Sequence, residues 1–177
     1  MAIRTGTHKL GPDNATLRVN TVRGGPASAA GHDLTIEVSS WEATLTVGEP
    51  SSLELTADAT SLHVVEGTGG MKALDDGDKD DIRKTIDKDV LRKQGIRFSS
   101  TDVSSDDGGL TVKGELELVG ATAPVEFTLD VGDDGSLRGS ATVKQSDWGI
   151  KPYSALFGAL KVKDEVVVSV DGTLPAD

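Results

Sequence analysis

Residues 110–129 read LTVKGELELVGATAPVEFTL. Leu110, Val112, Leu116 and Leu118 stand in one phase, and Thr111, Lys113, Glu115 and Glu117 stand in the other. After a turn of small residues ending at Pro124, the pattern resumes with Val125, Phe127 and Leu129 against Glu126 and Thr128. Successive side chains of a strand point to opposite faces, so a period of two marks strands with one apolar face. Strict in–out alternation across a short connection means an antiparallel hairpin, not a parallel α/β sheet buried on both sides.

The same period extends in both directions. Toward the N-terminus it runs through Ala15, Leu17 and Val19, then Leu34, Ile36 and Val38, then Leu53, Leu55, Ala57 and Ala59, and it restarts at Ile96 and Phe98. Toward the C-terminus it runs through Leu137, Ala141 and Val143 and closes with Val162, Val166, Val168 and Val170. Eight strands are therefore expected, joined by turns such as Gly132-Asp133-Asp134-Gly135. Two of them slip parity. Even positions through Val38 give way to odd ones at Trp41, Ala43, Leu45 and Val47, and odd positions through Ala59 give way to Leu62 and Val64. A slip inside a strand is the mark of a β-bulge, and bulges curve a sheet toward closure. The fold class expected is mainly β: an antiparallel, eight-stranded closed barrel rather than a flat sandwich, over residues 1–177 as a single domain.

One segment departs from this. Residues 75–94 read DDGDKDDIRKTIDKDVLRKQ, with Ile82, Ile86 and Val90 at helical spacing and Leu91 beside them. Acids crowd its start, Arg92 and Lys93 sit near its end, and Gly95 stands as a stop, matching the helix dipole. This predicts one short amphipathic helix between the third and fourth strands, capping one end of the barrel.

Composition narrows the function classes. The chain has 177 residues, a net charge of −11 and no cysteine, and only six aromatics: three Phe, two Trp and one Tyr. It is long enough to bury its own core. No disulfide framework, thiol nucleophile or zinc finger can be built. A pI near 4.6 argues against nucleic acid and against an anionic membrane surface as partners. No apolar run reaches the length of a membrane span, so no stable membrane insertion is expected. Residues 1–20 have no apolar core of a secretory signal, which makes the cytoplasm the expected location.

The polar motifs are sparse. Asp76-x-Asp78-x-Asp80 resembles a calcium loop but has Asp81 where glycine is needed and Asp87 where a bidentate glutamate is needed. His8, His32 and His63 share no metal-binding spacing, and no G-x-S-x-G elbow or phosphate loop occurs. No catalytic and no metal residues are therefore assigned. Two features remain. Small residues in the apolar phase, Ala57, Ala59, Gly114, Gly139 and Ala141, either leave a lumen unfilled or relieve crowding between coiled strands. Trp148, Tyr153 and Phe157, half of all the aromatics, gather in SDWGIKPYSALFGALKV, where they either lid a barrel mouth or complete the core.

Taken in order, these stretches resemble the YceI-like, polyisoprenoid-binding family. The resemblance rests on Asp13 before the first strand, Gly31-His32-Asp33 ending a loop, a charged helix followed by IRFSS (residues 96–100), the hairpin 110–129, SDWGI (residues 146–150) and a valine-rich closing strand. Gln145 or Ser146 stands where that family often has arginine, and Trp148 replaces phenylalanine. The resemblance implies a lipocalin-like barrel holding an isoprenoid chain, with no catalytic residues. It implies no dedicated cofactor beyond a bound isoprenoid quinone or polyprenyl lipid. Family members often pair, which leaves a homodimer open.

The reading that follows is a non-catalytic protein holding a small hydrophobic ligand, an isoprenoid or lipid-like chain, in its lumen. Expected lining positions are Leu34, Ile36, Val38, Leu55, Phe98, Val112 and Leu116, with Trp148, Tyr153 and Phe157 at the mouth and His32 as headgroup partner. Two alternatives are a barrel-type lipid isomerase or cyclase, which needs a buried acid or base in the lumen, and a packed interaction protein with no ligand.

Overall fold

The computed structural model describes residues 4–106, 108–155 and 160–174. Its strands are β1 (Gly6–Leu10), β2 (Ala15–Thr21), β3 (Arg23–Gly24), β4 (Asp33–Val38), β5 (Trp41–Val47), β6 (Ser52–Ala57) and β7 (Leu62–Thr68), then β8 (Ile96–Asp106), β9 (Gly109–Leu118), β10 (Ala121–Val131), β11 (Ser136–Lys144), β12 (Ser154–Ala155), β13 (Leu160–Val162) and β14 (Glu165–Thr173). The helix α1 (Asp76–Thr85) lies between β7 and β8. Eleven strands form one curled antiparallel sheet in the order β1-β5-β6-β8-β9-β10-β11-β14-β2-β4-β7, and β12, β13 and β3 form a small second sheet.

The strand count exceeds the eight expected, and the parity slips explain two of the three extra strands in the large sheet. The slip after Val38 is a corner at Ser39–Ser40 between β4 and β5, and the slip after Ala59 is a 3-10 turn over Ala59–Ser61 between β6 and β7. The two corners are tied together: the Ser39 amide donates to the Ser61 carbonyl at 3.0 Å, and the Asp58 amide donates to the Ser40 carbonyl at 2.9 Å. Bulges occur elsewhere, at Thr35–Ile36 against β7 and at Ser100–Asp102 against β9.

The hairpin 110–129 pairs as its alternation requires, Leu110 with Leu129 and Val112 with Phe127. Its turn is tighter than expected. Val119 and Gly120 both have positive φ, 48° and 76°, and Pro124 lies within β10, opposite Glu115. Proline is tolerated there because β11 pairs β10 only from Thr128 to Val131.

The helix starts with a reciprocal cap: the Asp75 side chain accepts from the Asp78 amide, and the Asp78 side chain accepts from the Asp75 amide. The acidic run is thereby a helix start. It ends sooner than the dipole argument predicts. After Thr85 the backbone passes through a π-helical turn, Ile86–Val90, and Arg92 and Lys93 take left-handed φ of 53° and 56° outside the helix. Arg83 and Lys84 are the cations of its last turn. Among the described residues, no helix is long and apolar enough to cross a membrane.

Candidate functional site

The curled sheet, α1 and the segment around Arg23–His32 enclose a cavity of about 550 Å³. Its walls are aliphatic, from Leu17 and Val19 of β2, Leu34, Ile36 and Val38 of β4, and Val166, Val168 and Val170 of β14. Leu10, Leu53, Leu129 and Leu137 line its closed end; across the ladders from two of them, Leu45 beside Leu53 and Leu110 beside Leu129 are fully buried. The other end is polar, where Arg23, His32, Asp81, Tyr153 and Lys161 contribute to the lining and Asp81, Tyr153 and Lys161 are exposed. A cavity of this size with apolar walls and a few polar groups at one end is the usual form of a site for one small hydrophobic molecule.

The helix contributes directly. Ile82 and Ile86, with Val90 and Leu91 beyond them, line the cavity, so the apolar stripe read from the sequence faces it. The loop before α1 is fixed to the mouth from the opposite side. His32 Nε2 donates to the Lys72 carbonyl at 2.7 Å, and Arg23 Nη1 donates to the Gly31 carbonyl at 2.9 Å. Asp33 accepts from the Arg23 amide at 2.9 Å and lies 3.9 Å from the Arg23 guanidinium. Gly69 and Gly70, with φ of 80° and 75°, pack against the side chains of Arg23 and His32 where a Cβ would collide.

Among the residues expected from the sequence, His32, Leu34, Ile36, Val38, Leu55, Phe98, Leu116 and Tyr153 line the cavity. Val112 does not. It is fully buried opposite Phe127 and Val103 and belongs to the packed core. Trp148 does not either. Its indole N–H donates to the Leu116 carbonyl at 2.6 Å, and the ring packs with Leu118, Val143, Ile150 and Val166. Phe157 lies outside the described residues. Of the small residues, Ala57, Gly139 and Ala141 border the cavity, whereas Ala59 is buried in the core and the space beside Gly114 is taken by Phe98.

Trp41 and Ala43 also line the cavity. Their signal was the odd phase that follows the Ser39–Ser40 corner. The Trp41 indole N–H and the Thr21 hydroxyl are both buried with no hydrogen-bond partner among the described residues. Arg23 and Lys161 carried no sequence signal, because the pairing of β13 with β3 brings them to the mouth. Among the described residues, no group of His, Asp and Glu could hold a metal ion.

The sequence pattern of the YceI-like domain matches residues 11–174. Among solved structures, the chain is similar to Burkholderia cenocepacia BcnA at 16% identity, with a TM-score of 0.65, over 92% of this chain and 96% of that one. It is also similar to a Campylobacter jejuni YCEI protein at 11% identity, with a TM-score of 0.56, over 80% of this chain and 85% of that one. At those identities the likeness is one of fold. No curated protein matches the sequence.

Proposed function

The chain belongs to the YceI-like domain family, and from that premise we propose that it is a non-catalytic carrier of one long apolar molecule, an isoprenoid or similar lipid chain. The observation that carries this reading is the 550 Å³ cavity with aliphatic walls, a closed end and a polar mouth. Burying apolar ligand surface there is worth about 25 cal/mol per Å², less the cost of ordering a flexible chain.

The lipocalin-like barrel is part of the proposal. Taking β4–β5 and β6–β7 each as one strand bent at its corner, the pairings run through β2, β14, β11, β10, β9, β8, β6–β7 and β4–β5 and return to β2. That circuit has eight members, with β1 added at the edge of β5. Catalysis is disfavoured by where the ionisable groups stand. Those bordering the cavity, Arg23, His32, Asp81 and Lys161, are at its mouth, where a base would not reach the middle of a chain threaded inside. The packed alternative is disfavoured by the cavity itself.

Organic extraction of the purified protein, followed by mass spectrometry, tests the carrier reading. A hydrophobic compound in near-stoichiometric amount is the expected result. Delipidated protein should also take up geranylgeraniol with saturable binding. Absence of both would overturn the reading.

A further inference from the structure

The mouth carries a charge that the rest of the molecule does not. In a chain of net charge −11, two of the three charged residues bordering the cavity are cations, Arg23 and Lys161. They come from neighbouring strands, since Lys161 pairs with Gly24 and Val162 with Arg23. Lys163 extends the group, its side chain lying against Gly24.

Compensation is uneven. Arg23 has Asp33 at 3.9 Å. Asp81, the one carboxylate among the described residues bordering the cavity, lies on α1, where Lys84 is already bridged to Asp80 at 2.9 Å. Lys161 has no ion-pair or hydrogen-bond partner among the described residues. Arg23 uses Nη1 on the Gly31 carbonyl, and among the described residues no hydrogen bond engages Nη2. Lys161 offers three N–H bonds and Tyr153 a half-exposed phenol. With Arg23, Lys161 and Lys163 against Asp33 and Asp81, the open end is rich in donors and carries one surplus positive charge, beside walls that accept only hydrocarbon. A bare ammonium at such a boundary is matched best by an anionic oxygen, through short charge-assisted hydrogen bonds.

We infer that the molecule held in the cavity is an acidic amphiphile, with its hydrocarbon chain inside and one anionic oxygen headgroup, a carboxylate or a phosphate monoester, at Lys161 and Arg23. This rests on the carrier reading. It separates this chain's ligand from a neutral quinone or alcohol, for which an uncompensated lysine at the mouth has no use.

The test compares pairs of probes with the same chain and different headgroups: oleate against oleyl alcohol, and geranylgeranyl monophosphate against geranylgeraniol. Each is titrated below its aggregation concentration into delipidated full-length protein by calorimetry. The acids should bind about tenfold or more tightly than the alcohols, a difference of about 1.4 kcal/mol. That gap should close in Lys161→Gln, an exposed position where the fold has little at stake, and at about 1 M salt, where the screening length is about 3 Å. A gain for both acids supports any anionic oxygen, and a gain for the phosphate alone supports a prenyl phosphate. Equal binding of acids and alcohols overturns this inference and leaves the carrier reading standing. An acid preference that survives Lys161→Gln overturns the assignment to this mouth. Failure of all four probes to bind removes the carrier reading itself.

Discussion

Phe98 occupies the space that Gly114 leaves open. A Cβ built on Gly114 would lie 2.6 Å from Phe98 Cζ and 2.8 Å from the Ser100 Cα, and it would also collide with the Ser99 carbonyl oxygen. The ring is held on its other side by Phe127, at a centroid distance of 5.5 Å and a tilt of 55°. A glycine in the apolar phase of β9 is thus a seat for an aromatic ring from the neighbouring strand.

Gly114→Ala should therefore destabilise the protein. Two of the three nearest atoms are backbone, so repacking of Phe98 alone cannot make room. Overpacking of this kind costs about 1–3 kcal/mol. A urea melt should show the midpoint falling with little change in slope. An unchanged midpoint would mean that β8 and β9 separate freely, against their full pairing from Arg97–Glu117 to Asp106–Gly109.

Ala141 gives the opposite outcome. It borders the cavity on β11, opposite Val168, which lines the same wall. Ala141→Phe should fill the space a ligand needs while adding buried apolar surface. Uptake of geranylgeraniol should fall by about tenfold or more, with thermal stability kept or raised by filling the void. Full binding by this variant would place the ligand outside the cavity.

The two tryptophans separate site from scaffold. Trp41 lines the cavity, and Trp148 stands behind Leu118, Val143, Ile150 and Val166, which line it. The fluorescence change on ligand addition should vanish in Trp41→Phe and persist in Trp148→Phe. Trp148→Phe should instead cost about 1–3 kcal/mol of stability, because the 2.6 Å bond to the Leu116 carbonyl is lost. A ligand response that follows Trp148 would place the ligand against the wall formed by Leu118, Val143 and Val166 rather than beside Trp41.

Acid should loosen the protein through groups away from the cavity. Lys84, then Arg83, hydrogen-bond Asp80 and hold its carboxyl below 3.8. The Asp78 amide does the same for Asp75, and the Ser146 hydroxyl for Asp164. A carboxylate with a lowered folded value contributes stability that is fully present above its unfolded value. That stability is lost as pH falls through the folded value. The urea midpoint should therefore be level from neutrality to about pH 5 and fall below it. The decline should be shallow, because exposed pairs are screened by water. Circular dichroism should report α1 loosening in that range, and a midpoint rising in acid would contradict these directions.

The strand pattern was legible because each wall of this sheet has one apolar face, and alternation records that directly. The corners were legible only as parity slips, since a two-residue corner and a bulge shift the phase alike. Leu34, Ile36 and Val38 could be placed from β4 alone. Val112 shares the phase of Leu116 but stands at the packed end of β9, and position along a strand leaves no mark in a period of two. Trp148 was misread because an aromatic in a connection signals burial without saying on which side. The cations of the mouth were invisible because β3 and β13 are short and the 137 residues between Arg23 and Lys161 separate them only in sequence, not in the sheet.

The loop over the mouth supplies the last test. Gly70 has φ of 75°, and a Cβ there would fall on the His32 ring, 2.6 Å from Cε1 and 2.8 Å from Cδ2. That ring is fixed by its bond to the Lys72 carbonyl, two residues beyond Gly70. In Gly70→Ala either the loop or the ring must move, and the ring borders the polar end of the cavity. The expected result is faster ligand release in stopped-flow displacement, with global stability lowered by about 1 kcal/mol or more, as for other alanines forced to positive φ. His32→Ala removes the same contact from the other side and should speed release to a similar extent. Because the two changes break one contact, the double variant should be no faster than the faster single. Additive rates would show that loop and ring guard the mouth independently.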